Sequence, residues 1–207
     1  MAMVNPRRSF LKSTASLALL LVACGGSAKL DPLDANDVVL AFGDSLTFGT
    51  GARPEESYPA VLQRNIGRKV VNAGVPGEAS AEGLARLPEV LDEVRPKLLI
   101  LCHGGNDFLR RLDESKAAEN VRAMVRLARG QGIAVVLLAT PKPGLPPHVP
   151  KFYGEIAAGE RIPFEEGVIK AVLTDNSLKS DMVHPNATGY AQIAAALQKM
   201  LKKAGAI

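Results

Sequence analysis

Val38-Val39-Leu40-Ala41-Phe42-Gly43-Asp44-Ser45-Leu46 decides how this 207-residue chain folds. Its first five residues form a short, unbroken apolar run, the pattern of a strand buried on both faces. Gly43 permits a tight turn out of that strand, and a polar pair follows where a helix can begin. The same pattern recurs at Lys69-Val70-Val71-Asn72, from Leu98 to Cys102 and from Ala134 to Ala139. A fifth, weaker strand is expected near Arg161-Ile162-Pro163-Phe164.

Helical spacing separates these runs. Tyr58 to Ile66 follows the first, and Ser80 to Val94 follows the second with Leu84, Leu87, Leu91 and Val94 three and four apart. Ser115 to Gly130 carries Val121, Met124, Val125 and Ala128 on one face. The last helix, Ala187 to Lys203, gathers Tyr190, Ile193, Ala194, Leu197 and Leu201. Strand and helix in alternation, joined by right-handed crossovers, give an α/β fold with about five parallel strands between two helical layers. Polar groups that follow strands then converge on one sheet edge, where open α/β sheets bind ligands.

Three islands supply such groups. Ser45 follows the first strand, a candidate nucleophile with Asp44 orienting its turn; taken alone, it reads better as a helix N-cap. Gly104-Gly105-Asn106-Asp107 follows the third strand and offers the Asn106 amide to a developing oxyanion, beside the Ser45 backbone N–H. A turn-forming Asn is the plainer reading there. Asp107 is expected to buttress this loop. Asp181-Met182-Val183-His184-Pro185-Asn186 offers His184 as general base, with Asp181 close enough to hold its Nδ1–H. A phosphate cradle around Gly43, Gly49 and Gly51 lacks the required Gly-Lys pair. Together the islands are the parts for acyl transfer by an activated serine.

Those motifs, with Asn72-Ala73-Gly74-Val75-Pro76-Gly77 as a fourth, resemble the GDSL or SGNH hydrolase superfamily from about Asp37 onward. The subgroup they are most similar to contains bacterial thioesterase I/lysophospholipase L1-like esterases and arylesterases. The resemblance implies a flavodoxin-like three-layer sandwich, a triad of Ser45, Asp181 and His184, and an oxyanion hole that the Gly74 N–H completes. It implies a small acyl-ester substrate and no cofactor. A deacetylase of carbohydrate or cell-envelope polymer, and a non-catalytic envelope lipoprotein, remain alternatives on the same fold.

The first residues read as an address. Arg7-Arg8-Ser9-Phe10-Leu11-Lys12 resembles a twin-arginine export motif, with Pro6 as a departure. The apolar run from Ala15 to Ala23 is shorter than the roughly 20 residues that a bilayer span needs. Leu21-Val22-Ala23-Cys24 resembles a lipobox. Residues 1–23 are therefore expected to be a removable signal peptide, with Cys24 lipidated to tie the protein to a membrane. Residues 24–36 would be a tether and 37–207 the hydrolase domain, exported to the cell envelope (periplasm).

Without Arg7, Arg8 and Lys12, the 25 basic residues become 22 against 21 acidic ones, so most of the net charge of +4 belongs to the leader and the rest of the chain is near neutral. Short basic pairs such as Arg110-Arg111 and Lys202-Lys203 are too little for a nucleic-acid surface. His103, His148 and His184 are scattered without metal-ligand spacing. His103 either touches substrate or packs at a strand end. Cys102 ends an apolar run and reads as a small buried hydrophobe rather than a catalytic thiol. The stiff, proline-rich loop 140–150 either walls an acyl groove with Leu145 and Val149 or is a surface connection.

Overall fold

The computed structural model describes Met1 and residues 28–207. Apart from Met1, the expected signal segment 1–23 and the expected lipidation site Cys24 lie outside the described residues. Elements run in the order β1 (Val38–Gly43), α1 (Ser45–Phe48), α2 (Tyr58–Ile66), β2 (Lys69–Gly74), α3 (Ser80–Val94), β3 (Leu98–Cys102) and α4 (Gly105–Leu109). Then follow α5 (Glu114–Gly130), β4 (Ala134–Leu138), α6 (Lys151–Glu160), β5 (Phe164–Glu165), α7 (Val168–Thr174) and α8 (Ala187–Ala204).

The five strands form one parallel sheet in the order β2-β1-β3-β4-β5. Alternating side chains send each strand into two cores. Val39, Ala41, Leu98, Ile100 and Val136 pack under α2, α7 and α8. Leu40, Phe42, Leu99, Leu101 and Val135 pack under α3, α5 and α6 on the opposite face. Every residue of β3 is buried, and each buried leucine there contributes about 1.5–3 kcal/mol by leaving water. The result is a three-layer α/β/α sandwich.

This strand order reverses direction between β1 and β3. Chain leaving β1 passes to the β2 side, and chain leaving β3 passes to the β4 side, so a crevice opens between the two exits. Ser45 and Asn106 begin those two exits.

Close approach of the strand ends demands glycine at position 43. A Cβ there would overlap the carbonyl oxygen of Cys102 and the hydroxyl of Thr47. Gly43→Ala is expected to lose about 2–3 kcal/mol or more, the scale of a severe overpacking error. A denaturant midpoint equal to the parent's would contradict this.

At the other end of the sheet, the stretch expected as a tether is docked from Leu30 onward. The Leu30 and Leu33 N–H groups donate to the Ala204 and Ala206 carbonyls at 2.9 and 2.8 Å. The Leu33 side chain is buried in the α2/α8 core. Loop 140–150 folds back on itself, Lys142 and His148 pairing as a small antiparallel bridge with Leu145 fully exposed at the tip.

Candidate active site

Ser45 is the first residue of α1, not its cap. Asp44 takes that role: its Oδ1 accepts the Leu46 N–H at 3.0 Å, and its carbonyl accepts the Thr47 and Phe48 N–H groups. Burial pushes the Asp44 carboxyl up, opposed by His103 and by the Leu46 N–H. Gly49, at φ 99°, ends the short helix in the left-handed region. Thr47 Oγ1 meets Tyr58 Oη at 3.0 Å, and Tyr190 Oη donates to the Thr50 carbonyl at 2.8 Å, fixing the turn from both sides.

His184 arrives from the far end of the chain. Its Nε2 lies 3.0 Å from Ser45 Oγ, across 139 positions of sequence. Its Nδ1 lies 2.7 Å from Asp181 Oδ2. Asp181 Oδ1 accepts the Val183 and His184 N–H groups at 2.8 and 2.9 Å, so one carboxylate closes the loop and holds the ring. Partial burial would raise the Asp181 carboxyl, but these bonds from the ring and the two amides outweigh it and hold it below the usual carboxylate range. Asn186 caps α8 by accepting the Gly189 N–H, so Pro185 and Asn186 together stop the loop from becoming helix. With Nδ1–H directed at Asp181, Nε2 is left to accept the Ser45 proton.

On the other bank, Asn106 lies in the first turn of α4, beside Ser45 on the wall of the same cavity. One hydrogen of its amide goes to the Glu78 carbonyl at 3.0 Å; the other is free of recorded partners among the described residues. Asp107 reaches away from the cavity, accepting the Ser80 N–H at 2.8 Å and the Ser80 hydroxyl at 2.7 Å. It thereby caps α3, whose own N-cap, Ala79, has no side-chain acceptor. Gly74 stands at the end of β2, paired in register with Gly43. Its N–H is occupied by Asn72 Oδ1 at 3.0 Å. A Cβ at 74 would overlap the backbone of Phe48, so only glycine lets β2 pass this close to α1.

His103 is fully buried and hydrogen-bonded to Glu78, which resolves it as a packed histidine. Cys102 is buried as well, and burial pushes its thiol far up, so it carries no thiolate. Among the described residues, no cluster of three or more His, Cys, Asp or Glu is arranged to hold a metal ion. Sequence pattern singles out neither Glu78 nor Arg86, and reads Asn72 only as a strand end. No spacing rule marks an acid in a turn whose partners sit on other elements.

The cavity beside Ser45 and His184 encloses about 650 Å³. Its walls are largely apolar, with Leu109, Pro141, Leu145, Leu173 and Val183 among them. Loop 140–150 therefore walls the site through residues 140–147, while Val149 packs into the core instead. Residues 41–192 match the model of the GDSL-like lipase/acylhydrolase family.

The chain belongs to the GDSL-like lipase/acylhydrolase family.

Esterase TesA of Pseudomonas aeruginosa is 33% identical over 183 residues, spanning 81% of this chain and 89% of the relative. Thioesterase 1/protease 1/lysophospholipase L1 of Escherichia coli K12 is 28% identical, spanning 81% and 85% respectively. A crystal structure of TesA superposes with a TM-score of 0.72 at 28% identity, covering 80% of this chain and 98% of that one. The protein is thus a serine esterase of the GDSL/SGNH type with the three-layer fold of its structural neighbours. The family match begins inside β1 and ends within α8, so it takes in all four islands on which the resemblance was based.

Proposed function

We propose that the protein hydrolyses carboxylic esters in two steps through an acyl-enzyme. Ser45 Oγ attacks the ester carbonyl carbon while His184 Nε2 takes the hydroxyl proton. The tetrahedral oxyanion is held by the Ser45 N–H and the free hydrogen of the Asn106 amide. It collapses, and the alcohol or thiol leaves with the proton from His184. Water, deprotonated by His184, then attacks the acyl-enzyme and releases the acid. Asp181 holds the imidazole in the required tautomer and steadies the imidazolium. Gly74 joins as a third donor when the Asn72 side chain turns away from its N–H.

The observation that carries this reading is the hydrogen-bonded chain Asp181–His184–Ser45, ending at an apolar cavity. Labelling by a fluorophosphonate tests it: the parent should be labelled, and an unlabelled, fully folded parent would return the protein to a binding role.

The same cavity favours an acyl chain over an acetylated sugar, because its lining is dominated by aliphatic and proline side chains and lacks an aromatic platform. Thioesters and lysophospholipids fit the same acyl side. Leu145 stands at the mouth, so Leu145→Asp should raise KM for octanoyl esters about tenfold, the rough cost of one lost apolar contact. Acetyl esters, too short to reach it, should change less than twofold. Equal effects on both would remove the loop from substrate binding.

We also propose that residues 1–23 are removed on export and that Cys24 is lipidated, with residues 37–207 as the catalytic domain in the periplasm. Among the described residues, no helix is long and apolar enough to cross a membrane. Chain from Cys24 to the docked Leu30 spans at most about 20 Å. That junction lies at the foot of the sheet, and the site opens at the head. A lipid on Cys24 would then point the cavity away from its own membrane, towards substrates arriving through water.

A further inference from the structure

We infer that Glu78, gripped by Arg86 and His103, is a positioning residue that sets the direction of the Asn106 amide. This deepens the reading of Asn106 as an oxyanion donor and rests on it.

Glu78 sits in the turn between β2 and α3, with its side chain only 7% exposed. Arg86, in the second turn of α3, grips its carboxylate with two parallel bonds, Nε to Oε1 and Nη2 to Oε2, both 2.8 Å. The third partner is His103, whose Nε2 lies 3.0 Å from Oε2. Its Nδ1 accepts the Gly104 N–H at 3.0 Å, so the ring proton is on Nε2 and the imidazole donates to Glu78. Burial works to raise the Glu78 carboxyl, but Arg86 and His103 overcome it and hold it down at about 2. The carboxylate is therefore a fixed anion at any working pH.

Two features connect this cluster to the chemistry. The Glu78 backbone carbonyl accepts one hydrogen of Asn106 Nδ2. A carbonyl there accepts only from the NH₂ end of the amide, so it forbids the flipped rotamer that would turn Oδ1 towards the carbonyl's position and misalign the donor. Arg86 Nη2 also donates to the Ala73 carbonyl at 3.1 Å, and that carbonyl shares its peptide plane with the Gly74 N–H. The guanidinium is braced in turn by the Phe42 ring, 4.2 Å below it. Helix α3 comes down on His103 at Gly83, where any Cβ would overlap the imidazole. One buried anion thus ties β2, α3 and the start of α4 together at the backbone atoms next to the oxyanion.

A double-mutant cycle in the full-length enzyme tests the assignment. Asn106→Ala alone should lower kcat by about 10²–10³. Glu78→Gln, isosteric but unable to hold the Arg86 fork, should lower kcat by about 10–100-fold with KM within threefold. The double variant should be no more than about threefold slower than Asn106→Ala, because Glu78 acts through the residue already removed. Affinity for an alkylboronic acid, whose adduct places an anionic oxygen in the hole, should fall in step with kcat. If Glu78→Gln does not fold, Arg86→Lys keeps the charge, removes the fork, and should give the same kcat-selective loss. Additive losses in the double variant, or a loss borne by KM alone, would overturn the positioning role while leaving Asn106 as donor. An Asn106→Ala enzyme with parental kcat would overturn both.

Discussion

Ser45→Ala is expected to remove ester turnover while leaving the protein folded. The fall in kcat should be on the order of 10⁴–10⁶, the scale of losing the nucleophile from a serine triad. The hydroxyl is bound to His184 Nε2 and lies on a cavity wall, so its loss leaves a ring nitrogen that water can satisfy. Stability should therefore move by less than about 0.5 kcal/mol, as for other changes outside a packed core. No neighbouring group can take its place: Cys102 is sealed in the core, its thiol driven up by burial, and the Thr47 hydroxyl is engaged with Tyr58. Fluorophosphonate labelling should vanish in parallel with p-nitrophenyl ester turnover. A variant that kept the parental rate would remove Ser45 from the reaction, whatever its distance from His184.

Much of this framework was legible before any coordinates, and the reasons are physical. Strands buried on both faces leave unbroken apolar runs, and Val38–Gly43 and Leu98–Cys102 were bounded by residues that cannot continue them. Helices α2 and α3 run over the spans their spacing indicated. Helix α6 was not anticipated, although Phe152, Tyr153, Ile156 and Ala157 are spaced for one face. Gly154 and Gly159 each cost about 1 kcal/mol of helix propensity, which packing against α5 and the sheet outweighs. Helix α7 is short and rich in β-branched residues, which suggested nothing helical. The fifth strand shrank to Phe164–Glu165 because Arg161, at φ 53°, still closes α6. The pairing of Asp181 with His184 was legible because the two are three residues apart and carry their own loop. Glu78 was not, because its meaning lies in Arg86, His103 and Asn106, which only folding brings together. The occupied N–H of Gly74 was equally out of reach, since the competing acceptor is the side chain two residues before it.

Asp181→Asn should separate orientation from presence in this triad. Asparagine is the same shape, and its Oδ1 can keep the bonds from the Val183 and His184 N–H groups that close the loop. Those two bonds dictate which end of the amide faces inward, so the NH₂ end is forced towards His184 Nδ1. Two donors then meet unless Nδ1 gives up its hydrogen, which transfers the proton to Nε2 and points N–H, not a lone pair, at Ser45. The histidine remains in place in the wrong tautomer. A fall in kcat of about 10³–10⁴ is expected, as when a triad carboxylate is replaced by its amide. The Asp181 side chain is 53% exposed, so solvent screens its charge, and the effect should sit at the lower end of that range. Stability carries an independent sign. A carboxyl held below its usual value stabilises the fold above about pH 4 and loses that contribution as pH falls through its depressed value. Any gap in Tm between parent and Asp181→Asn at neutral pH should therefore close on acidification. A variant losing less than tenfold in kcat would mean that the loop backbone alone orients His184, and that the carboxylate is needed for structure rather than for the tautomer.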